Sequence, residues 1–299
     1  MDTTRHQTDE KSPAVWIRTC IEKFVHSPEN NLGRSEQEPA WDEPLVGFSR
    51  GDDPLYLEFK DQIGPFYWTP LDIFEKTFPS LSVIPDQLTI ISWILPQTKA
   101  TKLDNKRETK YPSERWVRAR LYGGEFMVRL GDHVVSVLKE AGYEAVAPST
   151  SPLFEVKDSE RYGFSSTWSE RHAAYVSGLG TFGLCDGLIT PVGKAMRCGS
   201  VVARISTPPS KRPYNDPHEY CLFYSKNACR KCIERCPGGA ITEEGHSKEK
   251  CMEYIYTETA PYVSSHFSLE SYGCGLCQTG VPCESKIPKG GRLLPRAEK

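Results

Sequence analysis

The sequence predicts a mixed α/β protein, in the loose sense that includes α+β, built in two parts. Residues 1–215 read as a domain of helices and strands, and residues 216–299 as a small cysteine-rich domain with a basic tail. Three observations predict this. Asp86 to Leu95 (DQLTIISWIL) is β-branched and apolar and stops at Pro96, as a buried strand does. Ser113 to Ala141 carries apolar residues at near-helical spacing. Eight of the eleven cysteines fall between Cys221 and Cys283. A chain of 299 residues is long enough for one large and one small domain.

Each element has its own signal. Residues 1–55 are charged and broken by Gly and Pro, with a short helix expected near Val15 to Phe24. Thr98 to Tyr111 reads as a charged surface loop. The long helix opens on Ser113 as N-cap, repeats its apolar face at Phe126, Met127, Leu130, Val134, Val135 and Leu138, and ends before Gly142. Gly123-Gly124 inside it marks either a kink or a place where something approaches the backbone closely. Tyr143 to Ala147 begins a second strand, Ser169 to Ser177 is a helix, and Gly199 to Ile205 is a strand. Thr207 to Pro217 holds four prolines and is the best linker.

Charge and termini narrow the function classes. A net charge of −2 argues against a large nonspecific nucleic-acid surface. The stretch from Lys286 to Lys299 is locally basic and reads as a solvated tail. MDTTRHQTDEKSPAVW shows no apolar signal core and no twin arginine. The longest apolar run, Leu88 to Leu95, is too short to span a bilayer. The expectation is a cytoplasmic protein with no membrane partner, in which clustered cysteines serve metal or redox chemistry rather than disulfides.

The cysteine order is the strongest chemical signal. It runs Cys221-x7-Cys229-x2-Cys232-x3-Cys236-Pro237, then Cys251, then Cys274-x2-Cys277-x5-Cys283. The close triple with its trailing proline is the ending of the bacterial two-cluster ferredoxin motif, whose last cysteine ligates the neighbouring cluster. Two structural zinc sites are the competitor, but zinc favours separated C-x2–4-C pairs. Eight thiolates serve two [4Fe–4S] cubanes. Crossover assigns Cys221, Cys229, Cys232 and Cys283 to cluster one, and Cys236, Cys251, Cys274 and Cys277 to cluster two. Both unusual gaps fall on cluster one, which leaves Cys221 the least secure ligand. Cys20, Cys185 and Cys198 read as small buried hydrophobes, with Cys185 and Cys198 flanking a glycine segment.

That segment, Gly178-Leu179-Gly180-Thr181-Phe182-Gly183, matches G-x-G-x-x-G. A dinucleotide fold requires a strand before it and an acid about 20 positions on. Here the preceding stretch is helical, and no Asp or Glu lies between Asp186 and Asp216. Two readings remain: a tight helix exit, or a loop that brings backbone close to a different cofactor.

The stretch from Ser169 to Arg204, with the cysteines that follow, resembles the epoxyqueuosine reductases and reductive dehalogenases. The resemblance rests on Ala173-Ala174, Gly178-Leu179-Gly180, Ile189-Thr190-Pro191, Gly193 and the eight-cysteine order with its isolated Cys251. It implies a nitroreductase-like N-terminal domain holding base-off cobalamin, followed by a ferredoxin-like module with two [4Fe–4S] clusters. It implies that Gly178, Leu179, Gly180, Gly183, Ile189, Thr190, Pro191 and Gly193 lie at the cofactor. An aspartate before the G-[LI]-G turn looks like the proton donor in the reductases, and Glu170 falls at that position. His172, Tyr162 and Tyr175 read as packed or solvated residues.

Three functions follow as expectations. The first is a corrinoid-dependent reductase of a small molecule, fed by an external ferredoxin- or flavodoxin-type donor. The second is epoxyqueuosine reductase acting on tRNA, disfavoured by the net charge, the altered cysteine gaps and glutamate in place of aspartate. The third is an electron carrier that docks on a partner and needs no enclosed pocket.

Overall fold

The computed structural model describes residues 12–34 and 37–290. The stretch before residue 12 and the basic tail beyond residue 290 lie outside the described residues. The first helix, α1 (Pro13–Val25), starts where the Ser12 side chain accepts from the Val15 amide, and it buries Ile17, Ile21 and Val25 on one face. Strand β1 (Leu45–Arg50) follows, then α2 (Leu55–Ile63) and α3 (Pro70–Thr77). Strand β2 (Thr89–Pro96) is buried at all eight positions. Next come α4 (Lys99–Arg107), the long α5 (Glu114–Glu140), and the two-residue strand β3 (Ala145–Val146). A hairpin of β4 (Val156–Ser159) and β5 (Gly163–Ser166) leads to α6 (Glu170–Val176). The short pair β6 (Thr181–Phe182) and β7 (Leu188–Ile189) precedes β8 (Met196–Ala203).

The central sheet has the order β1-β2-β8-β3, and every neighbouring pair is antiparallel. The architecture is therefore α+β within the looser class expected. Alternation along β2 explains its complete burial, because successive side chains point to opposite faces. Ile91, Trp93 and Leu95 join α1 and α5 in one core. Ile90 and Ile94 join α2, α3 and α6 in the other. The sheet is thus covered on both sides.

One expectation needs correction, and one of two alternatives is decided in favour of close approach at Gly123. Thr98 to Tyr111 is not a loop: α4 is capped by the Thr98 side chain, and the residues it buries are the polar Thr101 and Asn105. Asn105 accepts from the Ser113 amide at 3.0 Å and donates to Thr279 Oγ1 at 3.2 Å. The helix α5 also runs unbroken through Gly123-Gly124. A Cβ on Gly123 would stand 2.8 Å from the Trp41 ring, whose Nε1 donates to the Gly123 carbonyl at 3.0 Å. A Cβ on Gly124 would meet nothing within 4 Å.

The cysteine-rich part contains α7 (Leu222–Lys226), α8 (Lys231–Glu234), a small pair of β9 (Ile241–Thr242) and β10 (Gly245–His246), α9 (Lys248–Tyr254) and α10 (Ala260–Phe267). The proline-rich stretch before it has no regular structure but lies along the first part. Phe48 and Ser210 exchange two hydrogen bonds of 2.9 and 2.8 Å, and Arg212 pairs with Asp53 at 2.8 Å. The core that holds Ile90 and Trp168 also holds Tyr214, Tyr220, Cys232 and Ile241, so packing continues across residues 215 and 216. Among the described residues no helix is long and apolar enough to cross a membrane.

Candidate functional site

The cysteines gather in two groups. Cys221, Cys229, Cys232 and Cys283 line one small cavity, which also touches Gly183, Ile189 and Lys194. Cys221 is therefore placed with the other three despite the long gap behind it. Cys236, Cys251, Cys274 and Cys277 come from the end of α8, from α9 and from the turn at Leu276–Gln278. Burial, with nearby Cys236 and Cys251, pushes the Cys274 thiol up to about 12.

Cys185 and Lys194 lie beside Cys232 and Cys277. Lys194 is 3% exposed and donates to Cys185 Sγ at 3.1 Å. Burial works against its charge, yet the thiols of Cys185, Cys283, Cys277 and Cys232 outweigh this and hold it well above its ordinary value. Lys194 also borders a second, larger cavity of about 460 Å³.

That second cavity is a cleft assembled from distant segments. One wall is a face of α5: Gly124, Met127, Val128 and Gly131 fall at i, i+3, i+4 and i+7. Facing it are Ala147, Ser149 and Thr150, the start of α6, and β8 from Met196 to Ser200. Glu170 sits inside. Burial raises its carboxyl from 4.5 to about 7, partly offset by Ser149, Ser200 and Trp168. The Ser149 hydroxyl donates to Oε1, while Oε2 is buried without a hydrogen-bond partner. Trp168 Nε1 donates to Ser200 Oγ at 3.0 Å, fixing the wall beside it.

The glycine segment makes the tight helix exit that was one of its two readings. A Cβ on Gly180 would stand 2.3 Å from the Ile189 carbonyl, one on Gly178 (φ +79°) 2.4 Å from Lys211 O, and one on Gly193 (φ +89°) 2.1 Å from Glu284 O. The close approach that needs glycine is made by the chain's own backbone. Of the eight residues expected at a cofactor, Gly183 and Ile189 border the four-cysteine cavity. Leu179 is packed in the core, and Thr190 Oγ1 donates to Gly193 O at 2.7 Å, closing the turn that contains Pro191. None of the eight lines the cleft.

His172 stacks edge-on against Phe59 at 4.4 Å and bonds Ser169 through Nδ1 at 2.7 Å. Burial lowers it to about 4, a neutral packed histidine as expected. Tyr162 is 40% exposed, and Tyr175 is buried in the core. Cys198 lines the cleft as an inert thiol, pushed up to about 12 by burial. Arg120, Arg171, Arg197, Trp93 and Trp168 also line it, and sequence reading did not single them out. The glycine-ended stripe on α5 was the available signal.

With this geometry in view, known proteins can be compared. No family model matches the chain. It is 28% identical over 218 residues to an epoxyqueuosine reductase from Bacillus cereus, covering 71% of this chain and 52% of that protein. A Staphylococcus aureus protein of the same name is 25% identical over 250 residues, covering 79% and 60%. The likeness is to the epoxyqueuosine reductases. The chain spans about half the length of the Bacillus relative. Among solved structures, a catabolic reductive dehalogenase aligns over 93% of this chain and 38% of its own, with a TM-score of 0.51 and 14% identity. That is a likeness of fold. Both names belong to the group that the motifs around Gly178 and the eight cysteines resemble.

Proposed function

We propose that this protein is a cobalamin-dependent iron–sulfur reductase in which Glu170 protonates the substrate. The observation that carries the reading is the Glu170 carboxyl, buried in a cleft with one oxygen unpartnered and its titration near neutrality. A general acid needs such a pKa, held in reach of the reacting atoms.

The residues present fit the groups the resemblance implies. Four thiols around one cavity would hold the first cluster, and Cys236, Cys251, Cys274 and Cys277 the second. Among the described residues no three His, Cys, Asp or Glu side chains converge closely enough for a single metal ion. A cubane, whose own atoms fill the space between its ligands, suits that spacing better than zinc. The open floor at Gly124 would accept a flat macrocycle against α5. When bound, the clusters supply single electrons and the corrinoid a strongly nucleophilic metal centre. The chain itself orients the substrate, excludes water with Trp93 and Trp168, and holds a proton on Glu170.

The relatives' names favour epoxyqueuosine as substrate, the second of the three expectations, over the small molecule that the sequence alone suggested. The net charge of −2 is a weak ground for setting tRNA aside. The carrier reading is disfavoured by the cleft, which a docking protein does not need.

Anaerobic reconstitution with iron, sulfide and cobalamin tests the proposal. The expected result is about eight irons and eight sulfides per chain, four per cubane, with a base-off corrinoid spectrum. Glu170→Gln should keep both and lose about 10²–10⁴-fold in reduction of an epoxyqueuosine-bearing RNA. Cluster-loaded protein that binds no cobalamin at micromolar concentration would point to the carrier instead.

A further inference from the structure

The charges lining the cleft do not balance. Arg120, Arg171, Lys194 and Arg197 line it, against the single carboxyl of Glu170. Glu170 titrates near 7 and so contributes only part of a negative charge at neutrality. Lys194 is matched by the Cys185 sulfur. Arg120 lies over the Tyr272 ring, 4.5 Å from its centroid. The side chains of Arg171 and Arg197 have no hydrogen bond or ion pair among the described residues.

Other arginines on the neighbouring helix are paired instead. On the helix that carries Arg120, Arg115 pairs with Glu38 and Asp104, Arg118 with Glu114, and Arg129 with Glu29. A guanidinium presents five donors in a fixed fork, and withdrawing it from water unpaired is costly; that cost falls on the half-buried Arg197, while Arg171 stays exposed at the rim. Burial, then repulsion from Arg120 and Arg171, brings Arg197 down to about 10, which still leaves it charged at neutral pH. The cleft is therefore built cationic, with the one proton donor on the residue next to Arg171.

We propose that the substrate enters this cleft through an oxyanion, a carboxylate or a phosphate, gripped by Arg197 and neutralised by Arg171 and Arg120, with its reducible atom turned toward Glu170. The idea rests on the cleft being the substrate site. It adds the class of substrate and the residues that select it. A bidentate hold on a planar or tetrahedral oxyanion is what the guanidinium fork is suited to.

The experiment is calorimetric titration of the cluster-loaded protein with benzoate, inorganic phosphate and guanosine 5′-monophosphate. Benzamide and guanosine are the uncharged controls. Saturable binding of an anion but not its neutral counterpart is expected, weakened at least about tenfold in Arg197→Met and less in Arg197→Lys. Arg171→Met, at an exposed position, should weaken it by a smaller factor and serves if Arg197→Met fails to fold. Benzoate or guanosine monophosphate as the tighter probe distinguishes a small carboxylate from a nucleotide phosphate. Equal binding of charged and neutral probes, or unchanged affinity in the variants, overturns the proposal. A parallel titration compares cobalamin with cobinamide, which lacks the nucleotide-loop phosphate. If Arg197→Met weakens cobalamin alone, the arginine serves the cofactor and the proposal is wrong. If neither corrinoid binds wild-type protein, the reductase reading fails, while the anion result is still read on its own.

Discussion

Glu170 couples function to pH in two measurable ways. In the proposed role of proton donor it must be protonated, so turnover should decline as pH rises through about 7. Its effect on stability has a definite sign. The unfolded chain releases this proton near 4.5, and the folded protein near 7. Between those values the native state binds more proton, so stability is fullest below 4.5 and is lost as pH passes 7, by about 3 kcal/mol. His172 acts in the opposite sense over pH 4 to 6.5, because its folded form resists protonation. The useful measurement is therefore the difference between wild type and Glu170→Gln in urea midpoint across pH 5 to 8. The variant should lack the downward slope. Equal slopes would mean that the carboxyl is not held protonated by burial.

Two neighbouring glycines on α5 separate packing from site at the level of the element. Gly123→Ala drives a methyl into the Trp41 ring and should destabilise by about 1–3 kcal/mol. Gly124→Ala meets open space and should stabilise the helix by up to about 1 kcal/mol. Gly124→Leu should fold like wild type and weaken corrinoid binding, because its side chain enters the cleft. Thermal unfolding and cobalamin titration of the three variants check this. The same helix shows what sequence reading reached. Apolar periodicity located α1, α5 and the buried β2, since hydrophobic burial writes a period into the chain. It missed α4, whose buried face is polar: Thr101 bonds to the capping Thr98, but Asn105 is satisfied by Thr279, far along the chain, and no local pattern reports that. Spacing also placed Cys221, Cys229 and Cys232 together, and the crossover pattern of the motif, not nearness in sequence, added Cys283 to the cavity they line. The arginines of the cleft were invisible for the converse reason. Arg120, Arg171 and Arg197 come from three elements and meet only after folding. The glycine turn was recognised as a place of close approach, but the sequence could not say that Lys211 and Ile189 make it.

Across the whole molecule, Arg235 ties the cysteine-rich part to α4. Its guanidinium donates to the carbonyls of Glu108 (2.8 Å), Asn105 (3.2 Å), Thr279 (3.0 Å) and Leu276 (3.2 Å). Arg235→Met leaves these acceptors without their donor and should cost about 2–4 kcal/mol. The segment carrying Cys274 and Cys277 should loosen first. In reconstituted protein, one EPR signal should weaken while the other persists, and the urea midpoint should fall. Removing iron with a chelator should act on a similar boundary. Hydrogen exchange is expected to rise over residues 221–284, while β1, β2 and β8 stay protected by their antiparallel pairing. Uniform loss of protection would instead show that sheet and cysteines unfold as one cooperative unit.

The turn ahead of β8 has a consequence for biosynthesis. The amides of Lys194 and Ala195 bond to the carbonyls of Cys283 and Glu284 at 2.8 and 3.2 Å, and Gly193 packs directly against Glu284. A ribosome must therefore add the whole of α7 to α10 before this turn gains its partners. Domains that fold during synthesis do so from the N-terminal side, but here the wall shared by the two cavities waits for residues translated much later. Nascent chains released before Val281 should remain protease-sensitive around Lys194, and the proposed cofactors could enter only after residue 284 has been made.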